Sequence, residues 1–169
     1  WRPGIGQVQW LLGGPTNRIS PWALTFKRSL DTGKKFDIVS AYFSPSQTIL
    51  RRLAKTARRN KGSRVVLAGK TDNGATIAAA RLLYRYLMRR KARIFEYQPR
   101  PLHMKLMVID DMVYIGSANL DIRSMFINLE IMVRVKDAGL ALHMRTLIDE
   151  LVSQSEEQTR VLLKKRDTI

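Results

Sequence analysis

A histidine, a lysine and an aspartate stand at fixed intervals in His103-Met-Lys105-Leu-Met-Val-Ile-Asp110, and Gly116-Ser117-Ala118-Asn119 follows. A histidine ring can serve as a nucleophile, a lysine can neutralise developing negative charge, and amide and hydroxyl groups can hold oxygens. These are the needs of phosphodiester transfer. Alternate side chains of an extended segment share a face, so His103 and Lys105 are expected to project together from one strand, above Met107 and Ile109. The run LMVID, Asp111 and MVYIG reads as a hairpin that returns Ser117 and Asn119 to the level of Lys105 and His103. A strict two-residue turn would pair His103 with Ala118 and send Ser117 to the opposite face, so convergence calls for a bulge or a shifted register. Asp110, seven residues beyond His103, falls on the other strand face and is assigned a structural role at the turn, bonding backbone amides.

The pattern HxKxxxxD followed by GSxN resembles the catalytic HKD motif of the phospholipase D superfamily, with every motif position filled. Leu120, Asp121, Arg123, Ser124, Asn128 and Glu130, with Tyr42-Phe43-Ser44-Pro45 upstream, are similar to the second catalytic half of bacterial cardiolipin synthases, over about Val8 to Leu151. The resemblance implies a phospholipase D-like α/β/α sandwich and attack by His103 to give a covalent phosphohistidine. Lys105, Asn119 and the Ser117 hydroxyl would bind the non-bridging oxygens, and Glu130 would accept a hydrogen bond from the other ring nitrogen of His103, fixing its tautomer. It keeps Asp110 in the motif, puts Tyr42 near the pocket, and leaves Arg123 to meet a phosphate headgroup. That chemistry requires no metal or cofactor. Two histidines and no cysteine also argue against a conventional transition-metal site, although carboxylates alone could hold Mg²⁺.

The superfamily joins two HKD motifs across a pseudo-twofold axis, one histidine attacking and the other protonating the leaving alcohol, whereas this chain carries one. The second half is expected either upstream in a longer synthase or in a homodimer mate, as in the single-motif endonucleases of the superfamily. His143 does not supply it. In HMRTLIDE, Arg145 replaces the lysine, Asp149 falls one residue early, and no Gly-Ser-x-Asn follows.

The 169 residues, 45% apolar and 26% charged, suit one domain (1–169) with a real core. A formal charge of +16 implies a phosphate-rich partner: an anionic phospholipid, a membrane surface or nucleic acid. After Asn119 come Leu120, Ile122, Met125, Phe126 and Ile127, which read equally as core or as an apolar approach for acyl chains. With the resemblance, this favours phosphatidyl transfer between glycerophospholipids at the bacterial inner membrane. Phospholipase-type hydrolysis, a metal-independent endonuclease and a non-catalytic basic adaptor are the alternatives. No apolar run approaches a membrane span, so the sequence as written reads as soluble; it opens at Trp1 rather than Met, so an upstream targeting or spanning segment is compatible with it.

The elements that must position these residues are legible as periodicities. Strands are expected at Val8–Leu12, Asp37–Phe43, Arg64–Ala68, Arg93–Tyr97 and Leu129–Val135, besides the hairpin. Helices are expected at Pro21–Leu30, Ser46–Asn60, Ile77–Arg90 and Gly139–Val152. The second of these buries Ile49, Leu50, Leu53, Ala54 and Ala57 and turns Arg51, Arg52, Lys55, Arg58 and Arg59 outward; the third carries Arg81, Arg85 and Arg89 as a surface stripe. Strands alternate with helices early and cluster later, which predicts a mixed β-sheet sandwiched by helices on both faces. The tail from Ser153 reads as a frayed polar helix.

Overall fold

Three strands rich in β-branched and aromatic residues, FDIVS, RVVLA and RIFEY, are separated by amphipathic helices, a repeat that lays them parallel. In the computed structural model, residues 6–15, 18–70 and 74–166 are described, without the side chains of 74–79 and 164–166. β1 (Val8–Gly13) and α1 (Pro21–Thr32) lead into β2 (Phe36–Ser40), β3 (Phe43–Ser44), α2 (Gln47–Arg59), β4 (Arg64–Ala68), α3 (Gly74–Met88) and β5 (Arg93–Tyr97). The hairpin of β6 (Leu106–Ile109) and β7 (Met112–Gly116) follows, then β8 (Leu120–Asp121), α4 (Ile122–Phe126), β9 (Glu130–Lys136), α5 (Ala138–Ser153), β10 (Ser155–Glu157) and α6 (Arg160–Arg166). Eight strands form one mixed sheet in the order β1-β9-β7-β6-β2-β4-β5-β10, with β2, β4 and β5 parallel, and β3 pairs with β8 alone.

Alternation along the strands divides the core in two. Ile38, Val65, Ile94 and Met107 pack under the helices α1, α2 and α3, against Phe26, Leu53 and Tyr84. Val39, Val66, Phe95 and Val108 face the other way, against Ala141 and Ile148 of α5. Helices therefore cover both faces, as the alternation of elements predicts. A buried carboxylate fixes α5: Asp37 accepts from Arg64 Nε at 2.5 Å and Arg145 Nε at 3.0 Å, and Arg145 also donates to the Asp110 carbonyl at 2.6 Å.

Cover on the α5 side is incomplete. The register Val8↔Val135, Trp10↔Val133, Leu12↔Ile131 and Ile115↔Val133 puts these side chains on one face, beyond the reach of α5. Val8, Trp10 and Ile131 are 59%, 57% and 50% exposed, which leaves a continuous apolar sheet surface bare.

Several expectations are corrected. Asp37–Phe43 is not one strand: β2 ends at Ser40, whose hydroxyl donates to the Tyr42 carbonyl at 2.7 Å, and the chain leaves the sheet to pair β3 with β8. The tail is not a frayed helix, because β10 adds to the edge of β5, where Glu157 accepts from Nε and Nη2 of Arg93. The arginine stripe of α3 is not merely solvated, since Arg81 grips the buried Glu96 at 3.1 and 3.2 Å. The start of the Ile77–Arg90 helix and the end of the tail, at 77–79 and 164–166, lie outside the described side chains. Among the described residues, no helix is long and apolar enough to cross a membrane.

Candidate active site

Apart from Asp110, the motif collects at one end of the sheet, where β2 and β4 finish, β6 and β9 begin, and β7 runs out into Ser117-Ala118-Asn119. His103 and Lys105 are not strand residues, contrary to the strand reading. Pairing stops at Leu106↔Ile115, and 101–105 approach the sheet as irregular chain. Pro99 and Pro101, which lack an N–H to donate to a ladder, stand just before this segment. The lysine stabilises the bend: Lys105 Nζ donates to the His103 carbonyl at 2.7 Å, beneath an exposed imidazole.

The hairpin register is the strict one, Ile109↔Met112 across Asp110-Asp111, with neither bulge nor shift. Ser117 reaches the site because the strand ends. Its N–H donates to the Ile131 carbonyl at 3.0 Å, its hydroxyl accepts from the Ile131 N–H at 3.0 Å, and the same hydroxyl donates to Glu130 Oε2. Gly116 permits this approach, since a Cβ there would collide with the Ile131 carbonyl oxygen and lie 2.6 Å from Met132 Sδ.

Glu130 is buried and held by Ser117 and by Asn128 Nδ2 at 3.3 Å. Among the described residues no hydrogen bond joins it to the His103 ring, and the Ser117 hydroxyl proton is directed at this carboxylate. Asn119 is oriented by its neighbours: its Oδ1 accepts from the Tyr42 N–H at 3.3 Å and its own N–H donates to Ser124 Oγ at 3.2 Å, leaving Nδ2 for another acceptor. Asp110 lies at the far end of β6. It adopts φ 50°, a left-handed conformation that aspartate tolerates, and its carboxylate accepts from the backbone N–H groups of Lys34 and Lys35 at 3.0 to 3.2 Å. It is therefore apart from the other motif residues.

Electrostatics centre on Lys105. Burial pulls its ammonium below the usual lysine range, against the opposing pull of the Glu130 and Asp121 carboxylates. A desolvated cation interacts strongly with any anion brought close to it. Among the described residues no cluster of three histidine or acidic side chains is placed to hold a metal.

Two cavities adjoin across Tyr42. One, of about 260 Å³, is lined by Tyr42, Lys70, Leu102 and His103; the other, of about 440 Å³, by Tyr42, Asn119, Asp121, Ile122, Arg123 and Asn128. The apolar stretch after Asn119 divides: Leu120 and Met125 are fully buried, whereas Ile122, in the lining of the larger cavity, and Ile127 are 49% and 55% exposed. Sequence reasoning missed Lys70, Ser40 and Trp22. Ser40 Oγ accepts from the Leu120 N–H at 3.1 Å, and Trp22 Nε1 donates to the Ser124 carbonyl at 3.0 Å, so both brace the Asn119 loop from distant elements. No local signal marks either residue. Lys70 comes two residues after a strand beside the site, which is a weak signal available from the sequence. His143 is exposed on α5, outside the lining of both cavities.

Residues 27–152 match the family described as cardiolipin synthase, PLD-like domain. Cardiolipin synthase B of Escherichia coli K12 is 35% identical over 131 residues, which cover 76% of this chain and 32% of that protein. Cardiolipin synthase A of Pseudomonas putida is 33% identical over 153 residues, 89% of this chain and again 32% of the relative. The chain thus spans about a third of the length of the relatives it matches. Among solved structures, the phospholipase D family member Nuc from Salmonella typhimurium superposes with a TM-score of 0.74 at 19% identity, covering 93% of this chain and 99% of that one. Phosphatidylserine synthase of Haemophilus influenzae gives 0.75 at 12% identity over 97% of this chain and 46% of that one. At these identities the likeness speaks for the fold.

Proposed function

The chain belongs to the cardiolipin synthase family of phospholipase D-like domains, and from that premise we propose that it is one half of an enzyme moving a phosphatidyl group between glycerophospholipids. A ring nitrogen of His103 attacks the donor phosphorus. The bond from phosphorus to the headgroup oxygen breaks, a histidine of the second half gives that oxygen its proton, and a phosphohistidine is left. The acceptor hydroxyl then loses its proton to the same second histidine and attacks phosphorus, freeing His103. Lys105 and Asn119 Nδ2 stabilise the non-bridging oxygens through both steps. Glu130, positioned by Ser117 and Asn128, orients the His103 ring once substrate and second half complete the site.

The observation that carries the lipid reading is the rim of the larger cavity, where the half-exposed Ile122 stands beside Arg123 in the lining. Such a rim enters the acyl region of a bilayer while the guanidinium meets a phosphate, which suits peripheral attachment at the bacterial inner membrane. A nuclease is the second reading, favoured by Arg51, Lys55 and Arg58 exposed along α2. Assay of the full-length protein without added metal, against phosphatidylglycerol vesicles and against plasmid DNA, decides between them. Formation of a two-phosphate lipid is expected; DNA cleavage without lipid turnover would replace this reading by the second.

The second half binds the bare sheet surface of Val8, Trp10, Leu12, Ile115 and Ile131. That surface borders the site directly, since Ile131 bonds Ser117 through its backbone. The remaining two thirds of the relatives' length leaves room for such a half in the same polypeptide.

Lys105 supplies a pH dependence. Only its cationic form stabilises the phosphoryl oxygens, and burial lowers its pKa, so the rate should fall on the alkaline side at a lower pH than an ordinary lysine would give. In Lys105→Arg the guanidinium stays charged, so the limb should move to higher pH while the maximal rate drops through altered geometry. An unmoved limb in the pH–rate profile of that variant would assign the titration to another group.

A further inference from the structure

Each of the two cavities that meet at Tyr42 holds one cation whose side chain makes no hydrogen bond or ion pair among the described residues: Lys70 in the smaller, Arg123 in the larger. Two other cations towards this end of the sheet are committed: Lys105 donates to the His103 carbonyl, and Arg81 serves Glu96. Lys70 is exposed just past the end of β4 and shares its cavity with His103, while Asn119 and Arg123 line the other. A phosphorus atom within reach of both the His103 ring and Asn119 Nδ2 therefore sits between the cavities, near Tyr42. Each free cation then lies to one side of it.

From this we infer that the Lys70 cavity is a second anion-binding subsite, taking the unreacting phosphodiester of the acceptor glycerophospholipid while its free hydroxyl points at the phosphohistidine. The inference rests on the phosphatidyl-transfer reading and goes further, because it names what selects the acceptor. Hydrolysis needs one phosphate and a water. Transfer to a second anionic lipid needs a place for two phosphates, and the unreacting one requires a cation that the reaction centre has not already engaged. An ammonium on a flexible stem beside a cavity of about 260 Å³ with Leu102 and Tyr42 in its walls suits a glycerophosphate headgroup. Neutral alcohols and water gain nothing from Lys70.

The test uses the full-length protein on phosphatidylglycerol vesicles, with transfer product and hydrolysis product measured together. In Lys70→Gln the ratio of transfer to hydrolysis should fall about tenfold or more, the factor that one charge-assisted hydrogen bond is worth. Lys70→Arg should restore most of it. A ratio equal to the wild-type one in Lys70→Gln, at whatever total rate, overturns the subsite and leaves phosphatidyl transfer standing. Absence of any transfer product from the wild-type protein overturns both.

Discussion

In His103→Ala, turnover by the assembled enzyme should fall by about a millionfold, the scale on which removing a nucleophile acts. The exposed ring makes no hydrogen bond among the described residues, so its loss leaves no cavity and no orphaned partner, and thermal stability should stay within about 0.5 kcal/mol of the wild type. Lys105 keeps its hold on the residue-103 carbonyl, since a backbone oxygen survives the substitution. Rapid denaturation during turnover of labelled lipid should trap phosphorus on His103 in the wild type and none in the variant. Persisting turnover, or an adduct elsewhere, would remove His103 from its role. If no adduct forms with any phospholipid or DNA, the protein is better read as a basic adaptor.

The second large effect concerns the bare sheet face. Trp10→Asp combined with Ile131→Asp should nearly abolish activity of the full-length protein, because both charges fall where the second half must pack. A buried tryptophan anchor such as Trp10 carries about 2 to 4 kcal/mol at an interface, and a charge in place of Ile131 adds a desolvation cost. Both side chains are half exposed in this domain alone, so the helical and strand content seen by circular dichroism should be unchanged. Limited proteolysis should then release this domain from the rest of the protein as a separate species. Wild-type rates with intact association would show that the second half docks elsewhere.

How far the sequence determined this protein differs by level. The helices α1, α2 and α5, the strands β1, β4 and β5, and the order of inward residues along α2 were legible, because each is set by the periodicity of neighbouring side chains. The HKD spacing and the Gly-Ser-x-Asn that follows were legible for the same reason: they are local patterns. Residues 41–42 and 103–105 read as strand continuations in the sequence, since propensity cannot say where a ladder stops. Ser40 ends β2 by bonding a carbonyl two residues on, and Lys105 ends β6 by bonding the carbonyl of His103. Both are side-chain bonds competing with pairing.

Tertiary structure alone decided how the motif converges. Residue arithmetic over the hairpin called for a bulge or a shifted register, yet the register is regular, because Ser117 is captured by β9 rather than by β6. That capture depends on Gly116, on Ile131 fifteen residues later, and on Glu130 arriving opposite Gly13 of β1. Asn119 is held by Tyr42 and Ser124, and its loop by Ser40 and Trp22, from elements up to about a hundred residues away. The division of the apolar residues after Asn119 into core (Leu120, Met125) and exposed side chains (Ile122, Ile127) was equally invisible in the sequence. Hydrophobicity is the same in both places; only the packing of α4 against the sheet determines which side chains water reaches.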